Sequence, residues 1–156
     1  MSKSLARVKA ALASAGVAAE ILEMPSETRT ALQAAEAAGC ALDQIVKSIL
    51  FQGQQSGRLH LFLTAGGNQV SDAKASALAG EPLGRADAAT VRAQTGFAIG
   101  GVAPIGHLTA LPTCLDPRLM TFDLVWAAGG TPRHIFALAP VVLHRLTGAR
   151  IAEFTG

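Results

Sequence analysis

Ile45-Val46-Lys47-Ser48-Ile49-Leu50-Phe51 decides the fold. Apolar and β-branched residues occupy both faces of this run, the pattern of a strand covered on both sides. Such a strand belongs in the middle of a sheet. After it, Gln52 to Gly57 is a polar turn, and Leu59-His60-Leu61-Phe62-Leu63-Thr64 returns as the hairpin partner.

Upstream, Ser4 to Ala15 carries apolar residues at helical spacing and stops at Gly16. Glu20-Ile21-Leu22-Glu23 alternates as a short strand, and Met24 to Glu27 is a loop. Thr30-Ala31-Leu32-Gln33 has the form of a capping box opening a helix through Ala38, closed by Gly39. Downstream, Gly66-Gly67-Asn68 breaks the hairpin strand. Ser71 caps a short helix to Leu78, and Asp87 caps another towards Gln94. Leu111 to Leu115 is a short strand that Pro112 assigns to an edge. Asp123 to Ala128 and His134 to Leu138 are strands, separated by Gly129-Gly130. Pro140 opens a helix ending at Gly148, and Arg150 to Phe154 adds a last strand. With no repeat, linker or composition break, residues 1–156 read as a single domain. Its class is α/β (mixed α+β), with a single mixed, curved β-sheet surrounded by short helices.

Composition narrows the function classes. Half of the 156 residues are hydrophobic and 15% are charged, which excludes a disordered chain. No apolar run approaches the roughly 18 residues needed to span a bilayer. The N-terminus lacks the apolar core of a signal peptide, so the expected location is cytoplasmic, with no membrane partner. Cys40 and Cys114 read as small core hydrophobes. The four histidines (His60, His107, His134 and His144) show no ligand spacing, so neither a metal nor a cofactor is expected. A net charge of +2, no Lys/Arg run and no Tyr argue against a long nucleic-acid groove. A partner gripped at one end through few contacts fits better.

Two features point to a ligand. Lys47 shares a strand face with Ile45 and Ile49, and no acidic residue stands out as its strand partner. An ammonium there costs several kcal/mol to desolvate unless it finds an anion or acceptor, so it either snorkels to an edge or grips a phosphate, carboxylate or polarised carbonyl. The second feature is Gly96-Phe97-Ala98-Ile99-Gly100-Gly101-Val102-Ala103-Pro104-Ile105-Gly106-His107. Glycines here permit close backbone approach and Pro104 stiffens the run, presenting bare amides to a ligand; a tight turn or bulge is the simpler alternative. Ser48 faces away from Lys47 and has no identifiable activating His or Asp, so no nucleophilic triad is expected. Asp116 and Asp123 read as a turn and a strand start, His107 as a hydrogen-bonded or surface residue. Gly129-Gly130 is either a ligand-closing segment or a hairpin turn.

Taken in order, Ile45–Phe51, Gly96–His107 with its Gly100-x-x-x-Pro104 core, Leu111–Asp116 and Val125–Gly130 resemble the YbaK/EbsC family. That family comprises aminoacyl-tRNA deacylases related to the editing domain of bacterial prolyl-tRNA synthetase. The resemblance implies a YbaK-like fold and hydrolysis of a mischarged aminoacyl ester at the 3′ acceptor end of tRNA, with prolyl-tRNA synthetase as a possible partner. It implies catalytic roles for Lys47, Gly100 and Gly101, and substrate contacts from Val102, Ala103, Pro104, Ser48 and Gly129. The terminal ribose 2′-OH and a water would assist hydrolysis, and the amides around Gly101 and Val102 would hold the aminoacyl end. Many relatives carry Ser where this chain has Ala103, which favours a small amino acid such as alanine, on tRNA for proline. Two rivals are a non-catalytic tRNA- or synthetase-binding module and a phosphate-binding protein. The intact Lys47 and loop argue against the first, and the missing P-loop Lys-Ser/Thr signature against the second.

Overall fold

The computed structural model describes residues 2–156. It consists of α1 (Lys3–Ser14), β1 (Ile21–Glu23), α2 (Ala31–Ala38), β2 (Ile45–Gly53), β3 (Leu59–Ala65), α3 (Asp72–Ala79), β4 (Leu83–Arg85), α4 (Ala88–Thr95), β5 (Thr113–Leu115), β6 (Val125–Ala128), β7 (His134–Leu138), α5 (Pro140–Thr147) and β8 (Arg150–Ile151). The strands form one mixed sheet in the order β1-β7-β6-β2-β3-β5-β8, with β4 also paired to β2. β2 is central, as its apolar pattern requires. No helix among the described residues is long and apolar enough to cross a membrane.

Strand alternation sends β2 side chains to two cores. Val46 and Leu50 join Leu61, Leu63 and Ala65 of β3 in the main core, which also takes Val8 and Leu12 of α1 and Leu143 of α5. On the opposite face Ile45 packs with Ala34, Ala35 and Trp126. Farther along that face, Phe62 packs with Ala75 and Phe154, against Ile49 and Phe51. Phe62 meets Phe51 and Phe154 edge-on at centroid distances of 5.8 and 5.1 Å. Lys47 falls between these two clusters.

Local signals act largely as their chemistry dictates. Thr30 Oγ1 accepts from the Gln33 amide at 3.1 Å, while Gln33 Oε1 accepts from Arg29 N, one residue before the reciprocal capping-box position. The expected edge strand at Leu111–Leu115 is instead internal, because β5 lies between β3 and β8. Pro112 precedes the paired residues, so its missing N–H costs no ladder bond, and its carbonyl accepts from Leu61 N at 2.9 Å. The Asp123–Ala128 strand begins only at Val125. The last strand stops at Ile151, after which Phe154 turns into the Phe62 cluster and Thr155 bridges Val70. Sequence reading missed β4, whose three residues follow Gly80-Glu81-Pro82 and include Gly84, so turn chemistry masks it. Cys40 and Cys114 are half-buried, each packed against one of the smaller clusters.

Phe62 is 1% exposed. Phe62→Ala should therefore destabilise the protein by about 3–5 kcal/mol, measured by urea denaturation. A loss below about 1 kcal/mol would show that the aromatic cluster relaxes freely into the space.

Candidate active site

Pairing along β2 creates a gap. β3 follows one edge of β2 from Val46 to Gln52. On the other edge β6 pairs only with Ile45 and Val46, and β4 only with Phe51 to Gly53. Lys47 to Leu50 therefore have no strand neighbour on that side. A cavity of about 280 Å³ occupies the gap. Its walls come from β2, the start of α2, β6, the β6–β7 turn, and Gly100 and Val102 of the glycine-rich loop.

Lys47 enters this cleft from the face between the two smaller clusters, opposite the fully buried Thr64. Its Nζ donates to the Asn68 carbonyl at 2.5 Å. Burial pushes its pKa below the ordinary lysine range, and the negative charges of Asp116 and then Asp43 pull it partly back. Asp116 is 2% exposed. Its Oδ2 accepts from Ala65 N at 3.1 Å and Asn68 Nδ2 at 2.9 Å, and its Oδ1 accepts from Arg118 N at 2.9 Å. Asp116 caps the 3₁₀ turn Pro117–Thr121, as its turn reading requires, yet it also orients the residue that holds Lys47. The expectation that Lys47 has no acidic strand partner holds, since Thr64 stands opposite it on β3; the charges of Asp116 and Asp43 reach it from other elements.

The Gly66-Gly67-Asn68 break explains how Asn68 gets there. A Cβ on Gly66 would run into the Leu42 carbonyl, and one on Gly67 would lie 2.5 Å from Asp43 Oδ1. Only glycines let this turn sit against the 3₁₀ turn Leu42–Gln44, where Gly67 N donates to Asp43 at 2.8 Å. Asp43 also accepts from Arg118 Nε at 3.1 Å.

Ser48 lines the cleft, and its buried Oγ has no hydrogen-bond partner among the described residues. Gly100 has φ of +95°, a conformation open mainly to glycine. The Gly101 amide donates to Ala98 O at 3.0 Å within a turn. A Gly101 Cβ would sit 3.1 Å from Thr131 Cα and 3.3 Å from Gly130 O, so this glycine allows the loop to press on the β6–β7 turn. The Val102 and Ala103 amides donate to no acceptor among the described residues. Ala103 is fully buried, and its carbonyl accepts from His107 Nε2 at 2.7 Å. Burial pushes the His107 imidazole below its usual pKa, with the Ala103 bond opposing.

Lys47, Ser48, Gly100 and Val102 thus meet at one cleft, while Gly101, Ala103, Pro104 and Gly129 stand outside its lining. Pro104 borders a separate cavity with Ile105, Gly106 and His107. Gly129 belongs to the hairpin turn, its N–H donating to His134 O at 2.7 Å. Among the lining residues that the sequence reading did not assign to a site is His134. His134, the first residue of β7, faces the cleft with Nδ1 2.5 Å from Thr131 Oγ1, and its Nε2 has no partner among the described residues. No spacing signal marks it, since it reaches the site only through the hairpin. A cation, an imidazole and the unpaired Val102 amide around a small cavity can together bind and polarise a carbonyl group.

Residues 25–146 match the model of a family described as the aminoacyl-tRNA editing domain. A crystal structure of a candidate trans-editing enzyme for prolyl tRNA synthetase is 46% identical, with a TM-score of 0.92 over 100% of this chain and 99% of that one. Among curated proteins, the uncharacterised YwhH of Bacillus subtilis is 29% identical over 85% of this chain and 83% of its own length. EbsC of Enterococcus faecalis, named as a candidate Cys-tRNA(Pro)/Cys-tRNA(Cys) deacylase, is 28% identical over 78% of this chain and 74% of its own.

Removing the Asp116 charge should shift Lys47 further from its ordinary pKa. In Asp116→Asn, the Lys47 titration midpoint followed by NMR of the side-chain Cε should fall below that of the wild type. An unchanged midpoint would remove Asp116 from the electrostatics of the cleft.

Proposed function

The chain belongs to the aminoacyl-tRNA editing domain family and is an aminoacyl-tRNA deacylase; from this premise we propose that it edits in trans, removing a small amino acid from tRNA for proline. The observation that carries this reading is the cavity of about 280 Å³ at the open edge of β2, with Lys47 as its cation. The 3′ end of tRNA enters this cleft with the aminoacyl ester towards Lys47. The ammonium and the amides of Gly100 and Val102 attract the ester oxygens, and more strongly as negative charge builds on the carbonyl oxygen during attack.

A water attacks the carbonyl carbon, the ribose 2′-OH assists by relaying its proton, and the bond to the 3′-oxygen breaks. The products are the free amino acid and tRNA with its 3′-OH restored. Apolar walls from Ile45, Ile49 and Val102 restrict the side chain. An extra methylene accommodated or refused by such a wall changes rate by about 10–200-fold. The match to a candidate trans-editing enzyme for prolyl tRNA synthetase favours tRNA for proline, and the name of EbsC makes cysteine the first competitor of alanine.

A panel of tRNAs charged with alanine, cysteine, proline and larger residues tests the reading. Hydrolysis of alanyl- or cysteinyl-tRNA for proline, with prolyl-tRNA spared, is expected; hydrolysis of none would leave a binding module. Lys47→Ala should abolish turnover while leaving the fold intact or slightly more stable at neutral pH. The sign follows from the lowered pKa: charged Lys47 opposes folding fully below its folded pKa, and this penalty fades as pH rises to the unfolded value. Wild-type turnover in that variant would sink the assignment. A substrate ending in 2′-deoxyadenosine should bind similarly and react about 10²–10⁴-fold more slowly, the usual contribution of proton-transfer assistance. Equal rates on the ribo and deoxy forms would require a protein base.

A further inference from the structure

The glycine-rich loop is braced from a part of the chain outside the residues that match the family model. α1 passes beneath it, and three glycines bring backbone and helix together. A Cβ on Gly96 would lie 2.5 Å from Arg7 Nη2, one on Gly106 would lie 3.3 Å from the Arg7 carbonyl, and one on Gly130 would lie 2.8 Å from the Ser4 carbonyl. All three glycines have positive φ, at +80°, +81° and +99°. The Arg7 guanidinium donates to the Gly96 carbonyl, and its carbon lies 5.0 Å from the Phe97 ring centroid. Phe97 is fully buried and meets His107 edge-on at 5.8 Å. His107 in turn holds the Ala103 carbonyl. A continuous set of contacts therefore runs from Arg7 to the residue beside Val102.

Arg7 is an expensive choice for packing alone. Its Nε is buried without a partner, and no carboxylate lies within ion-pair distance of it among the described residues. An unpaired buried N–H opposes folding, and so, more weakly, does a half-buried cation with no counter-charge, whereas Met or Leu would fill the volume without either cost. What arginine alone adds is a charged donor on the Gly96 carbonyl together with a planar cation over Phe97. Both contacts fall at the start of the loop, where a small rotation would be carried to Gly100 and Val102.

We propose that Arg7 is a positioning residue for editing, holding the glycine-rich loop so that Gly100 and Val102 face Lys47. The inference rests on the reading that this loop cradles the aminoacyl end. The test compares wild type, Arg7→Ala, Arg7→Lys and, as a control on the same helix, Lys3→Ala. It measures kcat and KM on the best mischarged tRNA, melting temperature, and backbone ¹⁵N order parameters of Gly100–Ala103 in the free protein. In Arg7→Ala, kcat should fall roughly 10- to 100-fold with KM little changed, as expected for misplacement of order 1 Å. Order parameters should drop from about 0.85 towards 0.6. Arg7→Lys should recover part of both, and Lys3→Ala should match wild type. A lower melting temperature with unchanged order parameters and kcat overturns the role of Arg7 itself. Looser amides with unchanged kcat overturn the proposal through the loop's part in catalysis, which separates the two failures. If Arg7→Ala does not fold, Arg7→Met keeps the packing of the stem, removes the donor, and carries the same comparison.

Discussion

Lys47 carries an ammonium into a sheet face otherwise formed by Ile45, Ile49 and Phe51, and much of the surrounding structure offsets that cost. The offset is indirect. Among the described residues no carboxylate touches the ammonium; instead Asp116 fixes Asn68, and the Asn68 carbonyl accepts from Lys47 Nζ. A direct ion pair at about 4 Å and an effective dielectric near 20 would be worth about 4 kcal/mol, and a substrate oxygen would then have to compete with a full negative charge. A carbonyl acceptor with the carboxylate one contact behind partly offsets the cost of burial and leaves the ammonium's other protons for a substrate oxygen. The glycine turn at Gly66-Gly67 belongs to the same arrangement, because without it Asn68 does not reach β2.

The opposite wall of the cleft is built by removing side chains. Gly100 provides a backbone angle, and Gly101 allows close approach to Thr131, Gly130 and Pro132. The result is a wall of backbone at Gly100 and Val102, with the Val102 amide unpaired among the described residues and Ala103 buried and tied to His107. Rigidity matters for such a wall, since amides stabilise developing charge only when they are aligned before the reaction begins. The open edge of β2 and the rigid loop are thus complementary. One leaves a space in the sheet, and the other lines that space with backbone at Gly100 and Val102.

The fold was legible wherever a local rule acts alone. Apolar residues on both faces placed β2 at the centre, and Thr30, Ser71 and Asp87 marked helix starts through their own side chains. Errors arose where a neighbour from elsewhere settles the matter. Pro112 suggested an edge, but it lies one residue outside the ladder, so a single position changed the reading of β5. β4 exists because the end of β2 offers an unpaired edge, which no feature of Leu83-Gly84-Arg85 announces. At the cleft, Lys47 and the glycine run stood out as chemically unusual in place. His134 and Asn68 did not, because each is ordinary in its own segment and acquires meaning only from a turn that brings it to Lys47.

The distribution of groups around Lys47 bears on how a proton would move during ester hydrolysis. Asp116 is buried and accepts three hydrogen bonds, and Asp43 accepts from Gly67 and Arg118, so using either as a base would undo the support of the cleft. Lys47 is needed as a cation if it is to attract carbonyl charge. That leaves the His134 imidazole, with its free Nε2, and the substrate's own ribose hydroxyl. The Thr131 contact at Nδ1 suits a different task for His134, since a ring oriented through one nitrogen can present the other as a donor to the bound ester. On the proposed mechanism the protein supplies charge, alignment and exclusion of bulk, and the tRNA supplies the proton relay.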